Sequence, residues 1–99
     1  MRAILQVDRL IHEPGRLVIM AVLYFVDAAD FLYLLRETGM TKGNLSSHLT
    51  KLEAGGYVEI EKTFRDKMPR TICRLSRAGR AAFQQYRENL KAAADTMKD

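Results

Sequence analysis

Residues 41–56 read TKGNLSSHLTKLEAGG, and they predict a short helix that begins at a threonine and ends at two glycines. Thr41 is of a residue type favoured at an N-cap, and Gly55-Gly56 is typical of a C-cap. Leucines at positions 45, 49 and 52 follow the i, i+4, i+7 spacing of one helix face. The stretch therefore predicts an amphipathic helix whose outward face carries lysines and small polar groups.

The residues before this helix predict a second helix and a tight turn. Asp30 is a suitable N-cap for a helix over Phe31–Thr38, and Gly39 ends it. Met40 and Leu45 occupy the two positions of a hydrophobic staple, which sets the angle at which the chain enters the next helix. Two helices joined by a short turn that contains glycine are the helix-turn-helix pattern.

A β-hairpin is predicted after the glycines, because the apolar period changes from 3.6 to 2. Tyr57–Phe64 (YVEIEKTF) alternates, and Thr71–Leu75 (TICRL) follows as a second strand. Residues 65–70 (RDKMPR) lie between them as a polar turn with a basic, mobile tip. We therefore expect a hairpin that carries Arg65, Lys67 and Arg70 at its tip.

Helices are also predicted at both ends of the chain. Ile4–Leu10 can form a short helix, and Pro14 begins a longer one that has no polar face from Arg16 to Val26. That helix is expected to be buried on most sides or to lie at a subunit interface. Ser76 can cap a last helix over residues 77–98. The predicted fold class is mainly α with a small β-hairpin (α+β), in one domain over residues 1–99.

Composition excludes several classes of protein. The chain has 99 residues, of which 47% are hydrophobic and 28% charged, which is ordinary globular composition. Its densest apolar run, residues 17–26, is half the length of about 20 residues that a membrane helix needs. A single cysteine, Cys73, excludes an internal disulfide. We expect a soluble, cytoplasmic protein that does not bind membranes.

Charge is concentrated in the middle of the chain. The net charge is +4, but residues 41–80 contain nine basic and four acidic side chains, a net +5. Residues 1–40 have a net charge of −1, and residues 81–99 have none. A localised basic surface is typical of proteins that bind a polyanion.

The helix after Thr41 and the hairpin tip together predict a DNA interface. Hydroxyl and amide groups on the helix can meet base edges in the major groove, while the basic tip suits the minor groove or the backbone. The residues that we predict to contact DNA are Thr41, Lys42, Gly43, Asn44, Ser46, Ser47, Thr50, Lys51, Arg65, Lys67 and Arg70. The alternatives are a solvated helix face and an ordinary soluble hairpin turn.

Other chemistry-bearing residues indicate no catalytic or metal site. His48 lies at the edge of the leucine stripe and is interpreted as a packing residue, with DNA contact as the alternative. Cys73 alternates inward and is expected in the core. His12 and these two residues lack the spacing of metal ligands. We predict no enzyme activity, no cofactor and no metal.

The stretch DFLYLLRETGMTKGNLSSHLTKLEAGGYVEIEKTF, with PRTICRLSRAGRAAF after it, resembles short winged-helix transcriptional regulators of the MarR and ArsR groups. The resemblance implies a homodimer on a pseudo-palindromic operator. It places Lys42–Lys51 in the major groove and Arg65–Arg70 at the wing tip. We accordingly predict a recognition helix at about 41–54, a wing at about 57–75 and a C-terminal dimerisation helix at about 77–97. The chain is shorter than typical MarR proteins and lacks the clustered cysteines and histidines of metal-sensing ArsR proteins, so an effector stays unknown.

The last helix carries a heptad-like seam, which predicts a dimer interface. Its members are Phe83, Tyr86, Leu90, Ala93 and Met97. The alternative is that the seam covers the core of its own subunit. We predict a sequence-specific, homodimeric regulator of transcription acting on double-stranded DNA as a repressor. The competing hypothesis is a winged helix that docks another protein and does not bind DNA specifically.

Overall fold

The helices predicted from Pro14 onward and the predicted hairpin occur in the expected order in the protein's structure, a computed structural model that describes residues 7–97. The elements are α1 (Pro14–Phe25), β1 (Ala29–Asp30), α2 (Phe31–Thr38), α3 (Lys42–Ala54), β2 (Val58–Arg65), β3 (Met68–Leu75) and α4 (Arg77–Thr96). The predicted helix over Ile4–Leu10 lies partly outside the described residues, and residues 7–10 form a bend and a turn. The predicted class, mainly α with a β-hairpin, is confirmed.

The predicted caps set the boundaries of the two central helices. Asp30 accepts the amide hydrogen of Tyr33 at the start of α2, and Gly39 ends that helix with a φ of 68°. Thr41 Oγ1 accepts the amide hydrogen of Asn44, at 3.2 Å, at the start of α3. A turn of three residues therefore separates α2 from α3, as the helix-turn-helix pattern predicts.

A third strand, which the sequence did not predict, completes the sheet. The strand order is β1-β3-β2, and all pairs are antiparallel. In β1, Ala29 pairs with Cys73 and Asp30 with Ile72. Two residues are too few to show an alternating pattern, and their pairing depends on residues more than 40 positions away. The strand joins the start of α2 to the middle of β3.

The β2–β3 hairpin, hereafter the wing, has a shorter turn than predicted. Pairing continues to Arg65 and Met68, so the turn consists of Asp66 and Lys67, both with positive φ. Two-residue turns of this kind match the twist of the flanking strands. The next pair, Phe64 and Pro69, is of the non-hydrogen-bonded type, so Pro69 interrupts no ladder bond. The predicted six-residue turn over 65–70 is therefore wrong.

The core lies between the helices and the inner face of the sheet. Leu45, Leu49 and Leu52 of α3 are buried, which confirms the predicted leucine stripe. They join a core cluster formed by side chains from all four helices and from the sheet. Cys73 is fully buried in that cluster, and burial is the main cause that raises the pKa of its thiol to about 11. Its predicted place in the core is confirmed.

The predicted seam on α4 is buried in part and exposed in part. Phe83 and Tyr86 are buried in the core of their own chain, so they offer no surface to a partner. Ala93 is also buried, but Leu90 and Met97 are 43% and 57% exposed. The helix of 20 residues spans about 30 Å, and the molecule reaches 57 Å in its longest dimension. The second half of α4 therefore extends beyond the main core.

Candidate nucleic-acid interface

The outward face of α3 is open along its whole length. All eight residues that the sequence predicts as DNA contacts in this region are exposed. They are Thr41, Lys42, Gly43, Asn44, Ser46, Ser47, Thr50 and Lys51. The buried leucines hold the opposite side of the helix against the core. Any ligand at this face therefore meets a fixed helix with two lysines and several hydrogen-bonding groups.

The first turn of α3 leaves backbone amides free for an anion. Thr41 uses its hydroxyl oxygen to accept from Asn44, so the amides of Lys42 and Gly43 have no side-chain partner among residues 7–97. A Cβ added at Gly43 would meet no atom within 4 Å. The fold itself therefore does not require glycine at this position, whereas close approach of a phosphate to the helix start would.

Two of the predicted polar residues have internal hydrogen bonds that limit their roles. Thr50 Oγ1 donates to the carbonyl oxygen of Ser46 at 2.9 Å, so its proton is already used within the helix. The Thr41 oxygen is used by the cap. Asn44, Ser46 and Ser47 keep their side-chain groups free within the described part of the chain. These three are the best placed of the polar residues for hydrogen bonds to bases.

His48 faces the start of α1. Its Nε2 lies 3.5 Å from Glu13 Oε2, and its Nδ1 lies 3.4 Å from Arg16 Nη1. A Cβ at Gly15 would come within 2.6 Å of Nε2, so glycine permits this close approach. The structure confirms the interpretation of His48 as a packing residue.

Glu13, which contacts His48, is also the N-cap of α1. Burial alone would raise the pKa of Glu13, but hydrogen bonds from the amides of Arg16 and Gly15, with the charges of His48 and Arg16, lower it. The ionised carboxylate therefore holds α3 against the N-terminal end of α1.

The wing carries Arg65 and Lys67 at its end, as predicted. Both side chains are exposed, and neither forms an ion pair with a described residue. The wing tip, defined as residues 64–69, also bears Phe64 and Met68, which the DNA prediction did not include. If α3 lies in a groove of DNA, cations at this position can contact phosphates of the neighbouring backbone.

Arg70 does not lie at the tip. It is the third residue of β3, pairs with Thr63, and places Nη1 2.8 Å from Asp30 Oδ2. Sequence reasoning placed it in a six-residue polar turn that contains Pro69. Its position instead connects the wing to the cap of α2, while Arg65 and Lys67 remain at the end of the hairpin.

A groove of about 570 Å³ separates α3 from the wing. On one side its lining includes Ser46, Thr50 and Glu53 of α3, and on the other the paired residues Lys62 and Thr71 of the wing. Lys62 is exposed and was missed as a candidate contact. The signal was present in the sequence, since strand alternation puts Lys62 on the face of Val58 and Ile60. We call this space the α3–wing groove.

The rest of the described chain offers neither a metal cluster nor a membrane helix. His12 Nδ1 lies 2.8 Å from the hydroxyl of Tyr86, which accounts for this histidine as a structural contact. Within residues 7–97, no group of three or more His, Cys, Asp or Glu side chains could hold a metal ion. None of the helices there combines the length and apolar character needed to cross a membrane.

Comparison with known proteins identifies relatives that match most of the chain. A family profile described as a winged helix DNA-binding domain matches residues 16–94. An uncharacterised protein of Methanocaldococcus jannaschii is 39% identical over 78 residues, which are 79% of this chain and 85% of that protein. The family profile therefore includes α3, the wing and most of α4.

Solved structures share the fold. A transcriptional regulator homologue of Pyrococcus horikoshii OT3 superposes with a TM-score of 0.92 at 29% identity, over 100% of both chains. A MarR-family regulator of Enterococcus faecalis V583 gives 0.75 at 25% identity, over 96% of this chain and 84% of that one. An ArsR-family regulator, at 13% identity and a TM-score of 0.59 over 98% of this chain and 95% of its own, shows the fold alone. The predicted resemblance to winged-helix transcriptional regulators is therefore confirmed, and the likeness to the ArsR group is one of fold.

Proposed function

This chain belongs to the winged helix DNA-binding domain family, and we propose that it is a sequence-specific, homodimeric transcriptional regulator that represses its targets by binding double-stranded DNA. Its homologues with solved structures are regulators of transcription. The family is one of DNA-binding proteins and not of enzymes, which confirms that the chain is not an enzyme. Because a regulator needs access to DNA, we propose that it acts in the cytoplasm.

The observation that carries this proposal is the exposed polar face of α3 beside a wing with free cations. The leucine stripe leaves Asn44, Ser46 and Ser47 pointing away from the core, where they are suited to base edges in a major groove. Lys42 and Lys51 lie near opposite ends of the same helix and are suited to phosphates. In this docking, α3 reads sequence and the lysines set its register.

The wing extends the proposed contact beyond one groove. Arg65 and Lys67 would reach the minor groove or its phosphates, and Lys62 would meet the backbone that runs through the α3–wing groove. Glu53 in this groove disfavours a phosphate close to itself, so the backbone is expected nearer to Lys62. Thr50 would contribute as an acceptor, because its proton is used within the helix, whereas Thr41 would contribute as a donor, because its oxygen is used by the cap.

Dimerisation is proposed through the exposed part of α4. Leu90 and Met97 are seven residues apart, so they lie on one side of the helix, and a groove of about 770 Å³ runs beside Leu90. Val18 and Phe25 of α1 have the same spacing and are also exposed. Two copies joined by such surfaces would present two α3 helices to half-sites related by a two-fold axis, which predicts a pseudo-palindromic operator.

Selection from a pool of random duplexes tests the proposed function. The purified protein is expected to enrich a pseudo-palindrome, with an affinity that falls steeply as salt rises. Arg65→Ala/Lys67→Ala should weaken binding and reduce its salt dependence, whereas Arg9→Ala, an exposed cation in the N-terminal turn, should change neither. Failure to bind any duplex at low salt would exclude the proposal and favour a protein-docking winged helix.

A further inference from the structure

The wing tip exposes two large apolar side chains that neither the core nor the turn explains. Phe64 is 72% exposed and Met68 is 66% exposed. The hairpin does not need them for its own packing, because its inner face is already buried near Val58 and Cys73. Their exposure is costly in water unless a partner covers them.

Register distributes these apolar groups over both faces of the tip. Phe64 is opposite Pro69, on the face that continues from Val58 and Ile60 toward α3. Met68 is opposite Arg65, on the other face. Each face of the wing end therefore carries a large apolar side chain, with Arg65 beside Met68 on one face and Lys67 in the turn.

The same tip is held in a defined direction. Its turn is limited to Asp66 and Lys67, and its base is tied to α2 by the β1–β3 pairs and by the Arg70–Asp30 ion pair. A short hairpin anchored in this way keeps its orientation relative to α3. The apolar side chains therefore point to a fixed place beside the recognition helix.

We propose that the wing tip is an apolar wedge that enters the minor groove next to the major groove read by α3 and distorts the duplex there. The inference rests on the proposed DNA-binding function and adds a mechanism of recognition to it. Phe64, Met68 and Pro69 are residue types that minor-groove proteins insert against sugars and between base steps, which bends the DNA. Arg65 and Lys67 would meet the phosphates along the two edges of the groove.

The charge of the wing tip favours DNA over another protein as the partner that covers its apolar side chains. Arg65 and Lys67, which form no ion pair within residues 7–97, adjoin the apolar groups, and the only acidic side chain in the tip is Asp66 within the turn. A wedge of this kind favours flexible pyrimidine–purine steps, because these are the easiest to unstack. The operator should therefore show a preference at positions flanking the bases that α3 contacts.

Bending of a selected duplex tests the wedge directly. The duplex has fluorophores at its two ends for energy transfer, and 2-aminopurine at the step expected under the wing. Wild-type protein should shorten the end-to-end distance and increase the 2-aminopurine emission. Phe64→Ser/Met68→Ser should keep the duplex bound, with a loss of affinity of about tenfold, and should abolish both signals. Phe64→Leu/Met68→Leu should retain them, because leucine is also an inserting residue.

The outcomes separate this inference from the proposed function. Binding of the selected duplex by wild-type protein without bending, or equal bending by the serine variant, would overturn the wedge and leave the regulator intact. A change in sedimentation of the free serine variant would identify the tip as a protein contact, which also overturns it. Absence of any duplex binding would instead remove the proposed function itself.

Discussion

Arg70 and Asp30 connect the wing to the helix-turn-helix: Arg70 Nη1 lies 2.8 Å from Asp30 Oδ2, while Asp30 Oδ1 accepts the amide hydrogen of Tyr33. One carboxylate thus caps α2 and also holds the third residue of β3. Any shift of α2 is thereby coupled to the direction of the wing. This relationship accounts for an arginine in the wing that does not itself reach the tip.

Arg70→Ala should destabilise the protein less than Asp30→Ala. The ion pair is partly exposed, so its loss is expected to lower the free energy of unfolding by at most about 1 kcal/mol. Asp30→Ala should cost about 1–2 kcal/mol, because it removes the cap as well. Asp30→Asn is the matched control, since it keeps the cap and weakens the ion pair. Urea denaturation measures each value, and equal losses for the alanine and asparagine variants would contradict the double role of Asp30.

Gly43→Ala should change stability and DNA affinity in opposite directions. The new methyl group enters open space, and alanine favours the helix by about 0.5–1 kcal/mol over glycine. The same methyl group would obstruct close approach of a phosphate to the first turn of α3. Thermal unfolding and duplex titration of this one variant give both values. An unchanged affinity would show that the DNA does not approach the helix at Gly43.

Lys62→Ala tests the residue that the sequence analysis missed. If the DNA backbone passes through the α3–wing groove, loss of this cation should weaken binding similarly for all duplex sequences. The slope of log K against log salt should fall by about 0.9 for one lost phosphate contact. The comparison with Arg9→Ala, which removes a charge elsewhere, separates a local contact from the effect of net charge. The same slope for Lys62→Ala and wild type would exclude Lys62 from the interface.

The folded protein should lose stability in alkaline solution. The pKa of Cys73 is raised to about 11, mainly by burial, and that of Tyr57 to about 12, first by its hydrogen bond to Asp8. Both groups ionise at lower pH in the unfolded chain, near 9.0 and 10.0, so their stabilising contribution is complete below pH 9 and is lost as pH rises toward 12. Chemical denaturation between pH 8 and about 11 follows this decrease. Tyr57→Phe should show a weaker decrease, and an unchanged one would contradict the assignment to Tyr57.

Leu90→Arg should separate the proposed dimer into monomers. The residue is partly exposed on the part of α4 that extends past the core, so the change should leave the helical content intact. A buried charge at the interface would oppose association. Sedimentation equilibrium measures the change, and Gln85→Arg on another side of α4 is the matched control. A wild-type protein that is already monomeric would exclude this interface.

Local signals predicted the helix-turn-helix well, because each depends on a few adjacent residues. Asp30, Gly39 and Thr41 act as the caps and the helix end that their residue types predict. The leucine stripe of α3 follows from period alone. These features orient the exposed face of α3, so most of the candidate site on the helix could be derived from the sequence.

Features that depend on contacts distant in sequence were not predictable in the same way. Strand β1 has two residues and is defined only by its partner β3. Arg70 was placed at the tip because the pairing of Pro69 within β3 leaves no local signal. Phe83 and Leu90 belong to one heptad-like pattern, yet one is buried in its own chain and the other is exposed. The spacing of apolar residues identifies an apolar helix face, but it does not identify what covers that face.

The affinity for a selected duplex against a scrambled duplex of equal length and composition, at one physiological salt concentration, is the most direct measurement of sequence-specific binding. The proposed regulator should bind the selected duplex at least about 10³-fold more tightly. The ratio should fall toward one in a variant with Asn44, Ser46 and Ser47 changed to alanine, which leaves the lysines and the wing in place. Equal affinity of the wild-type protein for both duplexes would contradict sequence-specific recognition by α3.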